Sequence, residues 1–156
     1  MNEFATLYER LDSTTSTNAK VAYLVDYFER AEPNDAAWAV FFLSGRRFKR
    51  PVTTTQLRKW TYELADLPEW LFEECYIKVG DLAETIALCL DEGGESDPAL
   101  EAPLHVWVEE RLKPLRRASE ARQEERVVGW WRRLDRPGIF ILNKLLMGAL
   151  RVGVSE

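Results

Sequence analysis

One histidine and two cysteines are all that these 156 residues offer to a transition metal or a thiol reaction. His105 stands alone, and Cys75 and Cys89 are too far apart for a Cys-x-x-Cys pair, so a zinc site has little support. The two cysteines fall in apolar helical stretches and read as buried free thiols of a reducing compartment. No apolar run approaches the ~20 residues that a membrane span needs. The opening residues Met1, Asn2, Glu3 and Phe4 lack the basic-then-apolar plan of a signal peptide. Asn-Gly and Asp-Gly hairpin turns are missing, as are sustained apolar/polar alternation and any repeat of constant period, which argues against sheets and solenoids. Catalytic signatures are equally scarce. There is no Gly-x-x-x-x-Gly-Lys loop and no Ser–His–Asp or Cys–His set. The carboxylate pairs Glu73/Glu74, Glu109/Glu110 and Glu124/Glu125 are adjacent on helices and diverge, whereas an acid/base pair must converge on one reacting atom.

What is present is a globular composition, 46% apolar and 30% charged, in a length that suits one domain with a substantial core. The formal net charge of −5 argues against nucleic acid until its distribution is followed. Arg46, Arg47, Lys49, Arg50, Arg58 and Lys59 lie in a stretch with no acid. Nine basic and four acidic residues lie between Arg111 and Arg136. The stretch Asp91 to Glu101 holds five acids and no base, as many negative charges as the whole chain's net excess. Segregated charge of this kind steers a polyanion where a net value does not.

Periodicity is helical throughout. Phe4, Leu7, Tyr8 and Leu11 form one stripe. Ser16 or Thr17 caps a second helix carrying Val21, Leu24, Val25 and Phe28. Asp35 opens a third, Ala36 to Ser44, apolar nearly all round and hence central. It stops at Gly45. Caps among Thr53 to Thr55 start Gln56 to Asp66, and Pro68 starts Pro68 to Lys78. Gly80 breaks the chain, and Asp81 with Glu84 forms a capping box for Leu82 to Leu90. Glu92 to Ala102 reads as a flexible acidic loop. Pro103 restarts a helix to about Leu112, Ser119 caps another to Leu134, and Ile139 to Met147 is the last. The fold class is all-α, a compact bundle of about eight to ten helices that the acidic loop could divide into two lobes.

Four features bear on function. The chain closes with an apolar helix carrying Lys144 that runs into Gly148, Arg151 and Gly153; the glycines can take positive φ and admit a ligand, and the two cations can reach an anion. A glycine-capped core helix with a solvated arginine explains the same residues. The turn after the third helix sets Arg46, Arg47, Lys49 and Arg50 around Phe48, which suits phosphate contacts with an aromatic anchor, or a solvated basic turn. Gly80 and Asp81 open a helix whose N-terminus can offer N–H groups to phosphate, although Asp81 competes for them. Lys20 lies on a polar flank and can also meet phosphate. Trp130 and Trp131 invite a base-stacking reading, but their spacing with Val127 and Leu134 favours the core. Trp38, Trp60, Trp70 and Trp107 are likewise expected on apolar faces.

These segments, taken in order from Phe4–Leu11 through Thr17–Lys20, Leu43–Arg47 and Val79–Glu84 to Phe140–Glu156, resemble the N-terminal DNA-binding domain of ATP-dependent DNA ligases, of a bacterial type. The resemblance spans residues 1–156 and rests most on the final Gly-x-Leu-Arg-Val-Gly-Val run. It implies an all-helical domain that grips double-stranded or nicked DNA across the minor groove, with Lys20, Arg46, Arg47, Gly80, Lys144, Gly148, Arg151 and Gly153 at the DNA. It also implies work beside adenylation and OB-fold domains of the same enzyme, which would use ATP and Mg²⁺, in a cytoplasmic, nucleoid-associated setting without membrane. No cofactor is expected in this chain. Its nearest approach to the Lys-x-Asp-Gly adenylation motif, Lys78-Val-Gly-Asp81, has Gly and Asp in the wrong order, so residues 1–156 alone are not expected to ligate. A helical protein–protein interaction module without DNA binding is the competing expectation.

Overall fold

The structure is a computed structural model and describes residues 1–148, 150 and 152. Every regular element among the described residues is helical. In order these are α1 (Asn2–Asp12), α2 (Thr17–Arg30), α3 (Pro33–Leu43), α4 (Thr54–Leu64), α5 (Glu69–Val79), α6 (Leu82–Leu90), a 3₁₀ turn (Pro98–Leu100), α7 (Leu104–Val106), a π-helical stretch (Trp107–Leu112), α8 (Lys113–Leu115), α9 (Glu120–Trp131) and α10 (Arg136–Met147). The all-α expectation holds.

The caps are those that the sequence offered, with instructive exceptions. Ser16 accepts from the Ala19 N–H, and Ser119 from that of Arg122. Thr53 and Gln56 form a reciprocal capping box. Asp81 caps α6 through the Glu84 N–H, but Glu84 does not reciprocate; its carboxylate pairs with Arg136 at 2.7 Å and ties α6 to α10. Asp35 does not open α3, which starts at Pro33. It caps a different helix instead, accepting from the N–H groups of Leu104 (3.2 Å) and His105 (2.8 Å) at the start of α7, where Pro103 has no side chain to do so. The helix that restarts after Pro103 continues past Leu112 by widening. Pro114 cannot donate to the carbonyl one α-turn back, and the Lys113 N–H reaches five residues back to Val108.

The central helix is α10, with Ile141, Leu142, Leu145 and Leu146 fully buried. It packs most closely on α6. The expected centre, α3, buries Ala39, Phe42 and Leu43 but exposes Val40. On α2 the expected stripe is rotated: Tyr27 is buried, whereas Val21 and Val25 face solvent. Trp70 is also outside, 67% exposed, because α5 buries Phe72 on its opposite side. The other expected core tryptophans go inward, with Trp130 edge-on to Trp107 and the Trp131 indole N–H bonded to Asn143. Cys75 and Cys89 are free and only half-buried.

The acidic loop does not split the molecule. One cluster of buried side chains joins Phe4 and Leu11 to Ile86, Trp107 and Leu142. The loop itself is pinned: Asp97 pairs with Arg133 at 2.8 Å, its N–H donates to the Arg133 carbonyl, and Ser96 accepts from the Asp135 N–H.

Candidate nucleic-acid interface

The basic turn and the end of α10, far apart in sequence, meet in space. Helix α10 ends at Gly148 with φ 61°, a left-handed cap that a side chain disfavours. A Cβ placed there would lie 2.9 Å from the Phe48 carbonyl oxygen. Glycine is therefore required twice at one position, for its torsion and for the approach of the turn's backbone. Phe48 is the turn's anchor. Its ring is buried against Trp38 and Phe42, centroids 6.2 and 6.3 Å away. With Phe48 held inside, Arg46, Arg47, Lys49 and Arg50 project into solvent and ion-pair with none of the described residues.

Lys20 also belongs to this end. From the first turn of α2 its ammonium donates to the Val152 carbonyl at 2.5 Å, which ties Lys20 to Val152. Arg151 and Gly153, the remaining residues expected there, lie outside the described residues.

Lys144 occupies a neighbouring but more interior position, whereas Gly80, next to its partner Asp81, is exposed. Lys144 is 8% exposed, and its Nζ donates to Asp81 while lying over the rings of Tyr8 and Phe140. Asp81 uses its other oxygen to cap α6. The ammonium thus points into a carboxylate–aromatic cage, away from the solvent that the basic turn faces. Gly80 ends α5 with φ 80° and has open space where a Cβ would stand. Tyr8 has its hydroxyl pKa pushed well above the usual range, first by burial and then by the charges of Asp12 and Asp81.

His105, without a partner on paper, has one in space: its Nδ1 lies 2.6 Å from Asp35. Burial alone would raise the Asp35 pKa, but hydrogen bonds from His105 and Leu104 outweigh it and hold the carboxyl below its ordinary value.

One functional-looking residue escaped sequence reasoning. Gln123 on α9 is buried, and its amide nitrogen donates to the carbonyls of Pro51 (3.0 Å) and Leu115 (2.8 Å). The signal was available: a glutamine in register with Val127, Trp130 and Trp131 on an apolar stripe must find partners inside.

The arrangement suits a polyanion's backbone more than a small ligand: exposed cations on a turn braced from below by aromatic packing and a glycine contact. Among the described residues no group of three or more His, Cys, Asp or Glu side chains is placed to hold a metal ion, and none of the helices is long and apolar enough to cross a membrane. A comparison with curated proteins finds no match. A family model described as DNA ligase N terminus matches residues 1–156, the whole sequence. The chain therefore belongs to the family of N-terminal domains of ATP-dependent DNA ligases.

Proposed function

We propose that this domain grips duplex DNA around a nick through the sugar-phosphate backbone, in an ATP-dependent ligase that joins strands in DNA repair, replication or recombination. The observation that carries the reading is the Arg46–Arg50 turn, four exposed cations without an acidic partner among the described residues, seated on the glycine that ends α10. Backbone contacts of this kind position a duplex without reading its bases. The reaction's ATP and Mg²⁺ belong, in this reading, to the adenylation and OB-fold domains that partner this one. The residues here do not fit an adenylation site, since Asp81 is committed to Lys144 and to the α6 cap.

Fluorescence anisotropy with nicked, intact and single-stranded DNA tests it. Four or five neutralised phosphates should give log K against log salt a slope of roughly −4, with little sequence preference. A flat salt response would sink the reading. It would favour instead a protein-interaction module, for which the exposed Trp70 and Ile77, seven residues apart on the outer side of α5, would be the contact surface.

A further inference from the structure

We propose that Lys113, Arg116 and Arg117, at the junction of α8 and α9, form a second phosphate-binding ridge continuous with the Arg46–Arg50 turn. The inference rests on the DNA-binding reading above and extends its surface to a segment more than sixty residues away in sequence.

Two independent bridges hold the segments together. The first is the Gln123 amide. One buried nitrogen bonds the carbonyl of Pro51, which directly follows Arg50, and that of Leu115, which directly precedes Arg116. Its oxygen accepts from Gln56 at 3.2 Å, and Gln56 is itself locked in the capping box of α4. Every hydrogen of the amide is used, so the distance between the two chain segments is fixed. The second bridge is aromatic. The Lys113 ammonium lies 4.9 Å from the centre of the Trp38 ring, and Trp38 packs on Phe48, the anchor of the basic turn.

Burial sorts the cations of this region. Pro51, Val52 and Leu115 point inward, leaving Lys113, Arg116 and Arg117 outward and exposed. These three ion-pair with none of the described residues, and no acid occurs from Arg111 to Ala118. Arg111 is excluded, because it stacks 4.1 Å over Trp107 and donates to the Leu100 carbonyl. Arg133 and Arg136 are excluded by Asp97 and Glu84. Six exposed cations without an ion-pair partner among the described residues, with the exposed Lys113 seated over Trp38 between them, match a continuous polyanion, and the ligand chemistry is the phosphodiester backbone of duplex DNA.

The test uses the full chain, a fluorescent nicked duplex and three double variants: R116A/R117A, R46A/R47A, and R10A/R30A. The last pair flanks Asp26 on α1 and α2, away from the turn. R116A/R117A should weaken binding on the order of tenfold at low salt and reduce the salt slope by about 2, as two lost phosphate contacts require. R10A/R30A should leave the slope unchanged, and R116K/R117K should restore most of the affinity, since phosphate contact needs the charge. Wild-type binding by R116A/R117A beside weakened R46A/R47A would overturn the ridge and leave the DNA-binding reading standing. Equal losses in R10A/R30A, or no restoration by lysine, would also overturn it. Salt-independent binding by the wild-type chain would remove both.

Discussion

Gly148 touches the Phe48 carbonyl so closely that no side chain fits between them: a Cβ there would sit 2.9 Å from the oxygen. This contact joins the end of α10 to the basic turn. Gly148→Ala adds a left-handed torsion penalty of ~1 kcal/mol and must also push the turn away, for a total of roughly 1–3 kcal/mol. Gly80→Ala is the internal control. Its φ is also positive, at 80°, but a Cβ there meets nothing within 4 Å, so only the torsional cost applies. Chemical denaturation should rank Gly148→Ala as clearly the worse of the two, and anisotropy should find weakened DNA binding in it alone. Equal losses would mean that the Phe48 contact yields without consequence.

Lys144 and Asp81 form the pair to break next. Lys144→Met keeps the apolar stem in its aromatic cage and leaves Asp81, partly exposed, still capping α6. The expected loss of stability is small, about 1 kcal/mol or less. Asp81→Ala removes the cap and strands a buried ammonium, for about 3 kcal/mol. Because the charge is directed inward, Lys144→Met should not change the salt slope of DNA binding. A slope reduced by about 1 would show that Lys144 swings out to a phosphate.

Acid should act through Asp35. Its carboxyl is held below the ordinary value of 3.8 by N–H donors that also start α7. A depressed folded-state pKa contributes stability that is complete above the unfolded value and lost as pH falls through the folded one. Asp35→Ala should therefore lower Tm at pH 7, with a cap's worth of roughly 1 kcal/mol, and the gap from wild type should begin to narrow only as pH falls below the ordinary carboxyl value of 3.8. A gap unchanged down to the acid unfolding of the wild type would show that the carboxylate's charge contributes nothing to the cap.

Helix positions were legible because caps and periodicity are local. Ser16, Thr53, Asp81 and Ser119 each cap where their spacing indicates. Which side of a helix faces the core was less legible, since it depends on neighbours. Val21 and Val25 carry the right period on α2, but the ring of Tyr27, against Phe4, sets the rotation. Glu84 and Asp35 carry the right chemistry for local caps and find partners elsewhere. For the candidate site, the basic turn and Gly148 were visible as composition and as a glycine after a helix. Their contact was not, because nothing in either segment names the other. The same holds for Gln123, whose partners lie on two other segments.

Residues 1–156 should not become adenylylated. Lys78 is an exposed lysine at the end of α5, and the nearby Asp81 has both oxygens engaged. Incubation with labelled ATP and Mg²⁺ should leave the chain unlabelled. A covalent AMP on Lys78 would overturn the reading that adenylation belongs to another domain.

The last prediction concerns Gln123 itself. Gln123→Leu is close in volume and removes no charge, so it separates the brace from the cations it braces. It strips the buried Pro51 carbonyl of its donor, leaves the Leu115 carbonyl with the Ala118 N–H alone, and leaves the Gln56 amide without an acceptor. Unsatisfied buried polar groups cost ~1–3 kcal/mol each, and partial relaxation toward water brings the total to about 2–3 kcal/mol. Hydrogen exchange should locate the change, with faster exchange around Val52 and Arg116 and none at α1 or α6. DNA affinity should fall while the full complement of cations remains, because two charged segments free to move apart must be ordered again on binding. If the variant melts earlier but binds DNA as wild type does, the amide supports the fold alone, and the spacing of the two basic segments is immaterial to the duplex.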